Sequence, residues 1–356
     1  MSIDETVDPA QAVCPVPRAE DERVLLGHGS GGQLSASLIR EVIVPELGRA
    51  TPPGPLEDAA LLPIGGVELV ISTDSFVVNP LFFPGGDIGT LAVHGTINDV
   101  AMRGGAPAAL ALAFIIEEGL PLDDLRRVAR SVGQAASAAG VPVVTGDSKV
   151  VNRGAADGIF ITTTGIGRRM PGAALSAAAP RPGDVIMLSG PIGSHGVTVL
   201  SAREGLGFDG DVTSDSQALH RLVRAMVDAA GPAIHTLRDP TRGGLASALN
   251  EIAQAAEVGV VIDDGLIPVS PAVAAACEML GLDPLHVANE GCLVAFVAPD
   301  AADDVLVAMR ARPEGAAAVR IGEVVAEHPG RVTARTLVGA RRIVDMLVGE
   351  QLPRIC

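Results

Sequence analysis

The chain has 356 residues, 48% of them hydrophobic and 19% charged, which describes a globular protein long enough to need two cores rather than one. Its 42 acidic against 26 basic side chains leave a formal net charge of −16 with no basic stripe, which argues against nucleic-acid binding, because that depends on Lys and Arg neutralising phosphates. No apolar run approaches the roughly 20 residues of a membrane-spanning helix, and the acids Asp4, Glu5 and Asp8 have no apolar block behind them as a secretory signal would, so a cytoplasmic protein with no membrane contact is expected.

Trp and Tyr are absent and Phe is scarce, so the core must be built from Ala, Val, Leu and Ile, a choice that suits α/β layers. Residues 1–22 mix Pro9, Pro15 and Pro17 with acids and read as a mobile arm. A glycine-rich turn from Gly27 to Gly32 leads into a helix from about Gln33, with Leu34, Leu38, Ile39, Val42 and Ile43 on one face. A strand from Val67 to Ser72 closes at Asp74, and a helix is predicted from Ile88 to about Met102. Then come a strand over Ala108 to Ile116, a helix over Leu122 to Ala139, and strands over Val141 to Thr145 and Ile159 to Thr164. The proline-punctuated stretch from Arg168 to Pro182 is the predicted linker, dividing a domain over 23–170 from one over 171–349. The second domain is predicted to hold strands at Asp184 to Ser189, Gly259 to Ile262, Cys292 to Val297 and Val319 to Val325. Its helices are expected at Asp215 to Ala230, Gly243 to Ala256, Ala272 to Leu280 and Ala301 to Met309. Residues 350–356, with Pro353, are too short to pack as an element and form a tail.

Several stretches could carry chemistry. The loop Gly27-His28-Gly29-Ser30-Gly31-Gly32 ahead of a helix can offer backbone N–H groups to phosphate or can be a plain turn. A dinucleotide fold is disfavoured, since no suitably placed acid follows, and a Walker loop fails because Gln33 and Leu34 stand where Lys and Ser or Thr are required. Asp58, Asp74, Asp99 and Asp147 sit where apolar segments end, either as caps or as converging Mg²⁺ ligands that recruit ATP. Thr145-Gly146-Asp147-Ser148-Lys149 sets a cation two residues from an acid, and Arg238-Asp239-Pro240-Thr241-Arg242-Gly243-Gly244 repeats that theme. Glu290, between apolar Val287-Ala288 and Cys292-Leu293, is costly to bury unpaired and is therefore either partnered or functional. Of the four cysteines, Cys277 and Cys292 lie in apolar segments and read as core residues. Cys356, the last residue, is either an inert exposed thiol or a nucleophile on a tail that can swing; its own α-carboxylate disfavours thiolate, and Arg354 or a basic docking site would favour it.

Together with Ser72 to Ser75, Pro80 to Gly86, Asn98 to Val100, Glu117 to Pro121 and Asn289 to Gly291, these phrases resemble the HypE family of hydrogenase maturation proteins. Those are carbamoyl dehydratases of the aminoimidazole ribonucleotide synthetase (PurM-like) superfamily. The resemblance runs from Gly27 to Cys356 and is most specific at the closing Pro353-Arg354-Ile355-Cys356. It implies a two-domain α/β (α+β) PurM-like fold, with N-terminal domains pairing in a homodimer, a C-terminal α/β domain and a flexible tail. It also implies that a carbamoyl group on Cys356 is dehydrated to a thiocyanate with ATP and Mg²⁺, supplying the cyanide ligand of a [NiFe] hydrogenase iron. The carbamoyl donor would be the carbamoyltransferase HypF, and the cyano acceptor an iron-carrying HypC–HypD complex.

Residue by residue, the resemblance implies catalytic roles for Cys356, for Glu290 as general base and for Lys149 on developing phosphoryl charge. It implies Mg²⁺ and phosphate positioning by Asp58, Asp74, Asp99 and Asp239, joined by Asp147. Nucleotide contacts would come from Gly29, Ser30, Gly31, Gly32, Thr145, Asn98 and Arg242. Another PurM-like synthetase is the second reading, but selenophosphate synthetases resemble one another in a Cys followed closely by Lys, whereas Pro15 follows Cys14 here. A non-catalytic ATP-binding scaffold is the third.

Overall fold

The computed structural model describes residues 23–48, 57–206, 212–349, 352 and 354–356. The expected arm over 1–22, with Cys14, and Pro353 of the tail lie outside the described residues. The helix expected from Gln33 forms in pieces: α1 (Gln33–Ser37), a wider turn over Leu38–Ile43, and α2 (Val44–Leu47). Its apolar residues Ile39, Val42 and Ile43 remain exposed rather than covered.

Period-2 patterning builds the first sheet from β1 (Ala60–Ile64) and β2 (Val67–Phe76), with β5 (Gly105–Glu117), β6 (Val143–Val151) and β7 (Ile159–Arg169). The short hairpin β3 (Phe82–Phe83) and β4 (Gly86–Asp87) intervenes. The strand order is β1-β2-β7-β5-β6, and of its pairings β5 with β6 is parallel. Two helices cover one face. The Asp87 carboxylate caps α3 (Ile88–Met102) by accepting from the N–H groups of Gly89 and Thr90. Helix α4 (Leu122–Ala139) turns Val128, Val132, Ala135 and Ala136 inward and its acids outward. Helix α3 is buried nearly all round, because the second sheet's layers press on its other side.

The second sheet comprises β8 (Val185–Leu188), β9 (Ile234–Arg238), β10 (Gly259–Asp263), β11 (Val294–Val297), β12 (Val319–Val325), β13 (Val332–Arg335) and β14 (Arg341–Ile343), ordered β14-β13-β10-β12-β8-β11-β9. Helices α5 (Ser194–Glu204), α6 (His220–Ala230), α7 (Gly244–Ala256), α8 (Pro271–Leu280) and α9 (Ala302–Arg310) flank it. Alternation along β11 sends Val294 and Phe296 into a core with α7, and Ala295 and Val297 into a core with α6 and α9. Burial on both faces explains why this strand reads as one apolar run rather than an alternating one. The α6 core also takes in Ala101 and Met102 of α3, so the two sheets are packed through α3. At about 1.5–3 kcal/mol per large apolar side chain, that contact is a substantial tie.

Three departures from expectation bear on function. Strand β6 runs to Val151 instead of stopping at Thr145, because parallel pairing with β5 persists to Glu117↔Val151 and overrides the turn-like Gly146-Asp147. Helix α6 starts at His220, not Asp215; the Asp215 carboxylate is engaged by the N–H groups of Glu290 and Gly291, and Asn98 Oδ1 accepts the N–H of Leu219. Strand β9, hidden after Gly231-Pro232, delivers Arg238 and Asp239. Cys277 and Cys292 are buried.

Replacing Asp87 by Ala removes the cap of the helix that ties both sheets together. The urea midpoint is expected to fall by the equivalent of about 1–2 kcal/mol with the m-value unchanged.

Candidate active site

Three elements bring three acids to one point: the residue before Ala59, helix α3 and the end of β9. Asp58, Asp99 and Asp239 each place a carboxylate oxygen so that all lie within 4.8 Å of one another. Ser72 of β2 donates to Asp99 at 2.6 Å, and Arg238 pairs with Asp58 at 2.9 Å and with Glu251 at 2.5 Å. Burial drives the Asp58 pKa up to about 8 against the pull of Arg238, and Asp239 up to about 6. Asp99 is held well above the usual carboxylate range by burial and then by Asp239, Asp58 and Asp74. Asp74 stands beside this group on β2, raised by burial and drawn down by Arg242. A cleft of about 700 Å³ is lined by Asp58, Asp74 and Asp99 together with His28, Gly31, Gly32 and Ile39. Three crowded, part-desolvated carboxylates with one guanidinium between them fit a hard divalent cation such as Mg²⁺, which takes oxygen ligands.

The other end of the site is the tail. Ile355 and Cys356 are buried, 2% and 9% exposed, where the expectation was a free tail. The Cys356 side chain lies close enough to Glu290 and Arg242 for the charge of each to bear on its thiol. Its thiol is pushed well above the usual range by burial, with Arg242 pulling the other way. Glu290 is 3% exposed, and its Oε1 has no hydrogen-bond partner among the described residues. Burial, then Asp239, Asp215 and Asp74, hold its carboxyl well above the ordinary range, and Arg242 opposes them. Asp215, itself raised to about 6 by burial, anchors the backbone of Glu290 and Gly291. Arg242 therefore faces Cys356, Asp74 and Glu290 together, and it also lines the cleft, where the resemblance implied a nucleotide contact.

The glycine loop is shaped by close approach. A Cβ on Gly31, whose φ is +79°, would stand 2.5 Å from Arg242 Cβ, and one on Gly32 would meet the Leu347 carbonyl. Gly31 and Gly32 line the cleft, the Gly29 carbonyl accepts from Arg242, and Ser30 Oγ returns to the Gly27 carbonyl. Asn98 is directed elsewhere: its amide donates to Gln217 and accepts from Leu219, so it fastens α3 to the start of α6.

Thr145, Asp147 and Lys149 do not join the cleft within one chain. Asp74 shares its cross-strand row with Thr163, Leu112 and Gly146, whereas Asp147 shares a row with Ala113, Thr162 and Ser75. One residue of offset puts Asp147, and Lys149 two further on, on the face opposite Asp74, and three strand spacings separate them by about 14 Å. Lys149 pairs with Asp147 at 2.6 Å on an exposed edge.

The sequence reading took Ser72 only as part of the Ser72 to Ser75 phrase and passed over Asp215, His195 and Arg203. Asp215 and His195 lie in stretches taken for plain helix or turn, Asp215 within the polar run Thr213-Ser214-Asp215-Ser216-Gln217, where one more polar side chain gives no signal.

The models of the N-terminal and C-terminal domains of AIR synthase related proteins match residues 56–169 and 181–335. The chain is 54% identical to the carbamoyl dehydratase HypE of Cupriavidus necator, covering 94% of this chain and 95% of that one. It superposes with a TM-score of 0.79 on the crystal structure of hydrogenase maturation protein HypE in complex with ATP, at 48% identity over 94% of this chain and all of the other. A crystal structure of a HypE–HypF complex is matched with a TM-score of 0.82, at 46% identity over 89% of this chain and 100% of that one.

A carboxyl whose pKa is raised by folding keeps its proton over a window where the unfolded chain has lost it, so its stabilising contribution declines as pH rises through that window. The window runs from roughly pH 4 to about 8 for Asp58 and to about 6 for Asp239. The thermal midpoint of cation-free protein is expected to fall across it, and millimolar MgCl₂ should restore the midpoint at pH 8 in the parent but not in Asp239→Asn.

Proposed function

The chain belongs to the HypE carbamoyl dehydratase family of AIR synthase related proteins, and from that membership we propose how its residues divide the reaction. It is an ATP-dependent enzyme that dehydrates a carbamoyl group for hydrogenase maturation. The carbamoyl group rides on Cys356 as a thiocarbamate. ATP phosphorylates its oxygen, a base takes the nitrogen proton, and loss of phosphate leaves a thiocyanate with ADP.

The observation that carries this reading is the buried, unpartnered Oε1 of Glu290 beside the docked Cys356. A carboxylate there has a free lone pair for the carbamoyl N–H, and its raised pKa suits a proton acceptor near neutral pH. Asp58, Asp99 and Asp239, with Asp74, would hold Mg²⁺, which would supply charge neutralisation to the ATP phosphates. Arg242 orients the adduct's polar end and offsets developing negative charge. Because burial keeps the docked Cys356 protonated, this pose suits the neutral carbamoylated side chain better than a thiolate nucleophile. Loading would take place with the tail outside the site, on a donor of the HypF kind, and the cyano group would pass to an iron-carrying acceptor of the HypC–HypD kind.

Lys149, Asp147 and Thr145 enter through a second protomer. Strand β6 is a long unpaired edge with Val144 and Val150 exposed, the type of edge that soluble proteins cover. Pairing of two such edges in a homodimer would present Lys149 and Asp147 to the partner's nucleotide. A cytoplasmic setting agrees with this chemistry, and among the described residues no helix is long and apolar enough to cross a membrane.

With the carbamoyl donor system and ATP, the mass of the C-terminal peptide is expected to rise by a carbamoyl group and then to fall by water. Cys356→Ala should abolish both changes. Glu290→Gln should allow the first and slow the second by about 10²–10⁴-fold with ATP binding retained; unchanged dehydration would remove Glu290 from the role of base. Homodimers of Lys149→Ala and of Asp58→Asn should each be inactive. Mixing and re-equilibrating them should recover about a quarter of parental activity, since one of two sites in each mixed dimer is whole. No recovery would place Lys149 in its own chain's site or outside the reaction.

A further inference from the structure

The tail is held by its main chain. The Arg354 carbonyl accepts from the Asn79 N–H at 3.2 Å and from Arg203 Nη2 at 2.6 Å, and the Cys356 carbonyl accepts from the Val77 N–H at 3.2 Å. Between them the Ile355 carbonyl lies 2.9 Å from Nε2 of His195, a residue with no exposed surface. Ser214 Oγ sits 2.8 Å from the other ring nitrogen, and Phe83 packs edge-on at 5.5 Å. A carbonyl only accepts, so Nε2 carries the proton, and Nδ1 takes the hydrogen of Ser214, whose oxygen is free to accept from the Ser216 N–H at 3.1 Å. Arg203 is fixed in turn by its Nε donating to the Asn79 carbonyl at 2.8 Å.

We propose that His195, oriented by Ser214, and Arg203 are positioning residues that clasp the carbonyls of Ile355 and Arg354 and so hold Cys356 beside Glu290 during dehydration. Neither residue touches the sulfur. The clasp therefore grips the tail equally whether Cys356 bears a thiol, a carbamoyl group or a cyano group, and its strength sets how often the tail leaves. It rests on the dehydratase reading only for its consequence to turnover; the docking contacts stand without it.

The test labels Cys356 of the full-length, nucleotide-free protein with iodoacetamide and follows the mass of the C-terminal peptide, with buried Cys292 of the same molecule reporting global opening. His195→Ala and Arg203→Ala are each expected to raise Cys356 labelling about tenfold, the effect of one buried hydrogen bond, while Cys292 labelling stays at the parental rate. His195→Gln, which returns an N–H donor near the Nε2 position, should recover most of the protection. In single turnovers of preloaded carbamoylated protein at saturating ATP, both Ala variants should slow dehydration without shifting the ATP concentration for half-maximal rate. Unchanged Cys356 labelling, labelling of Cys292 rising in step, or a Gln variant no better than Ala would each overturn the clasp. If labelling behaves as expected but no carbamoylated parent loses water, the dehydratase reading fails and the clasp survives.

Discussion

The constraint on which the site depends is the confinement of acidic charge. Asp58, Asp99 and Asp239 converge from three different elements, with Asp74 beside them, and Arg238 is shared with Glu251 and cannot neutralise the group. Such a cluster resists ionisation: burial first, and then the neighbouring acids, raise its carboxyls. A divalent cation bearing nucleotide phosphates relieves the repulsion, which makes the cleft selective for a charged complex over an apolar ligand. The same field reaches Glu290, since Asp239 and Asp74 help keep its proton affinity high. The acids that recruit metal thus add to a base strength that burial of Glu290 sets first.

The packing explains how distant stretches reach this point. Helix α3 is buried between the two sheets, so Asp99 is fixed relative to β2 through Ser72 and relative to α6 through Asn98, one residue before it. Asp215 plays a comparable part on the other side by holding the backbone of Glu290. A residue that pins a loop contributes as much to geometry as one that faces the substrate, and both types carry polar groups into the interior.

Much of this was legible in the residue order. The long helices Ile88–Met102, apolar nearly all round, and Leu122–Ala139, with one periodic face, announced themselves, as did the apolar strands and the acids at their ends. The tail was not legible as a docked element, because its fastening uses main-chain carbonyls, and their partners His195 and Arg203 lie some 150 positions away in the chain. Strand β6 was cut short by a glycine and an aspartate that favour turns locally, while its parallel partner supplied the bonds that prolong it. The resemblance implied Asn98 as a nucleotide contact; helical geometry turns neighbouring positions about 100° apart, and that rotation sent Asp99 to the cleft and Asn98 to the start of α6.

The seat of Cys356 also limits what can be joined to it. With its carbonyl bonded to the Val77 N–H and Ile355 packed in the same core as Phe76, Cys356 is enclosed by the protein. An affinity tag or fluorescent fusion appended after Cys356 would have to thread out of that enclosure or hold the last segment outside it. Handles for purification or imaging belong on exposed loops, and a carboxyl-terminal fusion would act as an inhibitor covalently attached to its own target.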